Sequence, residues 1–159
     1  MGMIGNYIAV ENSVLQQIID GNKAILEIET NQEQTLDIDK SWQALHYLLC
    51  KNIDNGEPPI GYVVPLLDDN VIESEQDFGA FYITPEQVKA ASNFLNVLNE
   101  DTIKKMYDFK MMQKEELYPL VEDDDENEFY EYIFLYLMEL KQYFMQTAKQ
   151  GYAIVFYIL

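Results

Sequence analysis

DENEFYEYIFLYLMELKQYFMQTAKQGYAIVFYIL, residues 125–159, contains the change of period from which the fold class is read. Phe129, Ile133, Tyr136 or Leu137, Leu140, Phe144 and Ala148 recur at helical spacing. Tyr130, Phe134 and Met138 widen the apolar arc, so the helix is expected to be buried on more than one side. Its start falls near Asp124 or Asp125, where carboxylates face the positive helix end. Gly151 stops it, and Tyr152 to Leu159 then reads as a strand apolar enough to lie inside a sheet.

Working back toward the N-terminus, Phe78 to Ile83 suits a strand, and Thr84-Pro85-Glu86-Gln87 opens a helix. Thr84 caps it, Pro85 takes the first helical position and Gln87 completes a capping box, with Val88, Ala91, Leu95 and Leu98 on one face. Asn99 caps a shorter helix through Ile103, Met106 and Tyr107, and a loop or helical turn leads to Leu117-Tyr118-Pro119. Ile4 to Val10 is a short strand, and Ser13 with Gln16 starts a helix ending at Asp20-Gly21. Lys23 to Glu29 fits a strand or a helical turn equally. In LDIDKSWQALHYLL, residues 36–49, Asp39 reads as an N-cap and Ile38, Trp42, Leu45 and Leu49 as the core face of a helix. Lys51 to Asp77 is a long excursion rich in Gly and Pro, with short strands at most around Tyr62-Val64 and Val71-Ile72. The expected fold is a single α+β domain over residues 1–159. A small, mostly antiparallel or mixed sheet, including the N- and C-terminal strands, packs with several helices, the C-terminal one long.

Charge bounds the partners. The chain has 28 acidic and ten basic residues, a net charge of -18, and every basic residue is lysine. Without arginine it lacks the planar fork used for phosphate and guanine, and without a basic stripe its field repels polyanions, so nucleic acid and anionic membrane are not expected. Nine carboxylates lie between Glu115 and Glu131 and five between Asp68 and Asp77. Cys50 is the lone cysteine, which excludes an intrachain disulfide and suits a reducing compartment. MGMIGN resembles neither a secretory signal nor, with Asn6 at the sixth position, a myristoylation site, and no apolar run approaches the ~20 residues of a membrane span. A cytoplasmic protein is expected.

The residues able to carry chemistry are few. His46, the sole histidine, lies four residues after Trp42 and four before Cys50, so all three approach one helix face. A Cys-His pair is conceivable, although a half-buried histidine and a core cysteine explain the pattern as well. Asp37 and Asp39 could act as ligands or as an acid/base pair, and helix capping accounts for Asp39 without chemistry. The run Asp123 to Glu128 begins like a calcium loop but has Glu128 where glycine belongs and Phe134 where the bidentate carboxylate belongs. No glycine pattern marks a nucleotide site, and neither a metal nor a cofactor is expected. Tyr132, Tyr136 and Tyr143 share one side of the last helix and could mark an interface for self-association or a core edge.

MGMIGNYIAV, LDIDKSWQALHYLL, FGAFYITPEQV, LYP and the closing helix and strand resemble, in that order, the YfbM-like family of small bacterial proteins. The most specific part is Asp-x-Asp-Lys-x-Trp followed by histidine four residues later, which points to Asp37, Asp39, Lys40, Trp42 and His46. Gly79, Tyr82, Thr84, Pro85, Tyr118 and Pro119 match elsewhere. The resemblance implies a small α+β domain with no established activity. Leu120-Val121 stand where relatives often carry a tryptophan, so a pocket using that aromatic would differ here. Two functions are weighed: a non-enzymatic protein-binding or regulatory module, such as a toxin-neutralising partner, whose acidic surface meets a basic protein; and a small-ligand protein or enzyme with a pocket near Asp39, Trp42, His46 and Tyr118.

Overall fold

In the computed structural model, residues 2–74 and 78–159 are described. Glu75 and Asp77, at the acidic end of the long excursion, lie outside the described residues, as does Met1.

Four strands form one antiparallel sheet in the order β2-β1-β4-β3: β1 Gly5–Val10, β2 Thr35–Asp37, β3 Ala80–Ile83 and β4 Ala153–Ile158. The C-terminal strand is interior, as its unbroken apolar run requires, pairing Tyr7 with Phe156 on one side and Phe81 with Phe156 on the other. Alternation sends Tyr7, Ala9, Ile154, Phe156 and Ile83 into the main core, and Ile8, Val10, Val155 and Ala80 into a second, smaller one. The first face meets α2 (Trp42–Cys50), α3 (Pro85–Val97) and α6 (Glu126–Gln150). Leu15 and Ile18 of α1 (Asn12–Ile19), with Ile25 and Ile72, cover the second. Two short helices, α4 (Glu100–Met106) and α5 (Phe109–Lys114), bridge α3 to α6.

Local signals place most of these elements. Thr84 and Gln87 form the capping box of α3, Asn99 caps α4, and Asp125 accepts hydrogen bonds from the amides of Asn127 and Glu128 at the start of α6. Gly151 ends α6 with φ +70°, a left-handed conformation that a residue with a Cβ adopts only at a cost. Phe129, Ile133, Leu137, Leu140, Tyr143 and Phe144 are the buried side of α6.

Three readings change, and a fourth that was open between strand and helical turn is decided. Helix α1 starts at Asn12 after Glu11, so Ser13 is inside its first turn and caps nothing. The ambiguous Lys23 to Glu29 stretch is a 3-10 turn at Ile25–Glu27, and the Tyr62-Val64 strand is likewise replaced by a 3-10 turn at Ile60–Tyr62. Helix α2 is buried all round, from Trp42 through Leu49 except Gln43, because it runs between the sheet side and the 51–67 segment.

Candidate functional site

Three of the site residues suggested by sequence, Asp37, Asp39 and Trp42, lie where β2 turns into α2. Ile38 donates its amide to Gly5 O at 3.0 Å and drops its side chain into the core, after which the chain turns sharply at Asp39, φ +51°. Aspartate tolerates this left-handed conformation better than most residues because its short side chain bonds locally. Here Asp37 supplies the local bond, its Oδ1 accepting the Asp39 amide at 2.6 Å. The Asp39 carboxylate is thereby turned outward and accepts the Tyr132 hydroxyl of α6 at 2.7 Å. Asp39 is therefore no N-cap: a 3-10 turn, Asp39–Ser41, precedes α2, and no side chain caps the helix. Burial and the adjoining Asp39 carboxylate both raise the Tyr132 pKa, keeping the phenol a donor.

Trp42 and Tyr118 come together around the backbone of Met3. The Trp42 indole N–H donates to Met3 O at 2.9 Å, and the Met3 amide donates to the Tyr118 hydroxyl oxygen at 2.8 Å. Their rings lie 6.1 Å apart, tilted by 38°. Gln43 fixes Tyr118 from the next position on α2, its Oε1 accepting the Tyr118 amide at 2.7 Å. A Cβ at Gly2 would collide with Lys40 and the Tyr118 hydroxyl, so glycine lets the chain pass between them. The polar atoms of both aromatic residues are thus engaged by the N-terminal segment, which they clamp.

His46 faces different neighbours. It is 1% exposed, and its Nδ1–H donates to Val64 O at 2.7 Å, while Nε2 has no hydrogen-bond partner. Burial lowers its pKa, against the carbonyls of Val64, Asn55 and Asp54 and the Asp54 carboxylate, which favour the cation. Cys50 is half-buried, and desolvation pushes its thiol up to about 11. A thiol so raised is a poor nucleophile near neutral pH, and Nε2, the ring nitrogen able to accept a proton, makes no hydrogen bond to it. The structure therefore gathers Asp37, Asp39 and Tyr132 in one group, Trp42 and Tyr118 in a second around Met3, and sends His46 to a third place, the 51–67 segment.

A groove of about 330 Å³ opens beside Tyr132 at the start of α6, lined by Lys40, Pro119, Phe129 and Tyr132 with Asp124, Asp125 and Glu128. Asp124 is held by the Val121 amide at 2.8 Å and Asp125 by its capping bonds, whereas Glu122, Asp123, Glu126, Glu128 and Glu131 are exposed. No group of three or more His, Cys, Asp or Glu positioned to hold a metal ion occurs among the described residues. Tyr132, Gln43 and Tyr7 escape a sequence reading as site-shaping residues. Tyr132 is visible in the tyrosine-bearing face of the last helix, but its bond to Asp39 spans 93 positions.

With four antiparallel strands and six α-helices among the described residues, the last helix leading into the last strand, the architecture defines a class of small α+β domain. Over residues 1–157 the chain matches the family described as a domain of unknown function, DUF1877, and it belongs to that family. Its fold is similar to the crystal structure of YfbM, a protein of unknown function from Escherichia coli, with a TM-score of 0.77 over 98% of this chain and 99% of that chain. The two are 20% identical, so the likeness speaks for the fold alone. No curated protein matches the chain in sequence. The YfbM-like resemblance carried by residues 36–49 is thus met by both family and fold. No helix among the described residues is long and apolar enough to cross a membrane.

Proposed function

We propose that this protein is a non-enzymatic binding module of the bacterial cytoplasm that docks a basic protein on the acidic surface formed by residues 115–131. The observation that supports this is how little of its charge is neutralised internally. Against a net charge of -18, one ion pair occurs among the described residues, Lys104 with Glu100 at 3.7 Å on α4. Of the nine carboxylates from Glu115 to Glu131, eight are exposed and Asp124 is partly so. Unpaired carboxylates at this density steer a cationic surface toward them and suppress anionic competitors. Neutralising a basic toxin by covering it is one role such a module performs.

The test is capture of partners at low and high salt by the wild type and by a variant carrying Glu122→Gln, Asp123→Asn, Glu126→Gln and Glu128→Gln. The wild type should retain basic proteins at low salt, release them at high salt, and lose them through the four substitutions. Partners that are indifferent to salt, or bound equally by the variant, would sink the proposal. The alternative, a small-ligand pocket, keeps only the Asp39 end of the expected set, since His46 faces Val64 and Trp42 and Tyr118 hold Met3, and it draws on the groove beside the Asp39–Tyr132 bond. A metabolite that raises the melting temperature of the wild type, but not of Tyr132→Phe, would favour it instead.

A further inference from the structure

The segment from Lys51 to Leu67 crosses α2 with little regular structure, one 3-10 turn at Ile60–Tyr62, yet its last part, residues 63–67, is buried throughout. Two buried donors from outside grip consecutive carbonyls there. The Tyr7 hydroxyl of β1 donates to Val63 O at 2.7 Å, and His46 Nδ1–H of α2 donates to Val64 O at 2.7 Å. Much of the remaining bonding is internal or to the next few residues: the Gly61 amide to Glu57 O, the Asn55 amide to Leu66 O, and Asn55 with Asp68. Gly56 packs closely against Cys50 and Gly61, and Val63, Val64 and Leu66 put their side chains into the main core, so lifting the strap also exposes apolar surface.

We propose that His46 makes this segment an acid-released strap, seated while the ring is neutral and loosened when the ring takes a proton. The argument rests on the ring's surroundings. Nδ1 already carries a hydrogen for Val64, so an added proton goes to Nε2, which has no partner and is sealed from water. The cation would be buried with an Nε2–H that meets no acceptor in the seated strap; the Asn55 and Asp54 carbonyls favour the cation, but burial outweighs them, and exposure of the ring relieves that cost. The groups around it come from three elements: Cys50 one turn on along α2, Tyr7 of β1 at the adjoining carbonyl, and Asp54 of the segment itself. Asp54 is the charged one among these and favours the cation, but it is exposed, and burial outweighs it. When the strap lifts, the ring regains its ordinary pKa of about 6.5, so the open fraction should grow about tenfold for each pH unit below that value and stay constant above it.

Amide hydrogen exchange, corrected for intrinsic rates, reads this directly at Asn55, Leu66 and Leu67. Between pH 7.5 and pH 5.5 the wild type should lose protection there about tenfold. His46→Asn keeps a side-chain N–H at the Nδ1 position without a titrating group, and its protection should be flat over the same range. Equal loss in both proteins would assign the effect to carboxylates and overturn the proposal, as would unchanged protection in the wild type. Should His46→Asn fail to fold, the wild type still decides: its single imidazole gives one proton resonance. A titration midpoint below the ordinary range supports the strap, whereas a midpoint at or above about 6.5 overturns it.

Discussion

Asp39 shows how one residue can be recognised correctly as special and misread in its role. Its position before an apolar helix suggests a cap, yet the left-handed backbone turns its carboxylate toward Tyr132 instead. The bond ties β2 and α2 to α6 and is charge-assisted, so Tyr132→Phe should lower unfolding free energy by about 2 kcal/mol in denaturant titration. A loss below about 0.5 kcal/mol would mean that solvent replaces the bond at no cost. Tyrosines also set an alkaline limit. Burial raises the pKa of Tyr7 and Tyr143 in the folded state, for Tyr7 together with the neighbouring Tyr143 and for Tyr143 against the Thr147 hydroxyl, which favours its charge. A raised folded pKa gives stability that is complete below about pH 10 and is lost as pH rises from there through the folded value. Tyrosinate absorbance should therefore appear in step with loss of circular dichroism above about pH 10. Gradual ionisation of all the tyrosines with the fold intact would contradict this.

At the scale of elements, ends were readable wherever the ending interaction is local. The Thr84-Gln87 box and the Gly151 terminus both act within about one turn, so residue types at fixed offsets reveal them. Gly151→Ala places a Cβ in open space, and its cost is conformational alone; about 1 kcal/mol of stability should be lost. Thr84→Ala removes one member of the box and should cost about 1 kcal/mol as well. A Cβ at Gly151 meets nothing within 4 Å, so the two changes share no contact and their effects should add in the double variant. Helix α2 is the counter-example. Its apolar positions were visible, but its start was not, because Asp39, which resembles a cap, accepts the Tyr132 hydroxyl and no side chain caps α2.

For the molecule as a whole, charge is the property that reaches furthest. With a net charge of -18 and few internal ion pairs among the described residues, the folded state works against its own repulsion. Raising salt from about 0.01 M to about 1 M shortens the screening length from about 30 Å to about 3 Å. The melting temperature should rise over that range, most steeply at the low end. A flat response would mean that the carboxylates are spaced too widely to feel one another, and would also weaken the case for a steered basic partner.

The amino-acid sequence by itself determined the α+β class, the interior C-terminal strand, the long last helix, the family and the acidic field. Each rests on periodicity, on contacts within a turn, or on a sum over residues that no fold can change. Tertiary structure alone decided how the conspicuous residues of 36–49 are used. Tyr132 reaches Asp39 across 93 positions and Met3 reaches Tyr118 across 115, while His46 turns to Val64. Those partners are chosen by which buried donor lies opposite which carbonyl or carboxylate once the core has packed, and no spacing along the chain records that.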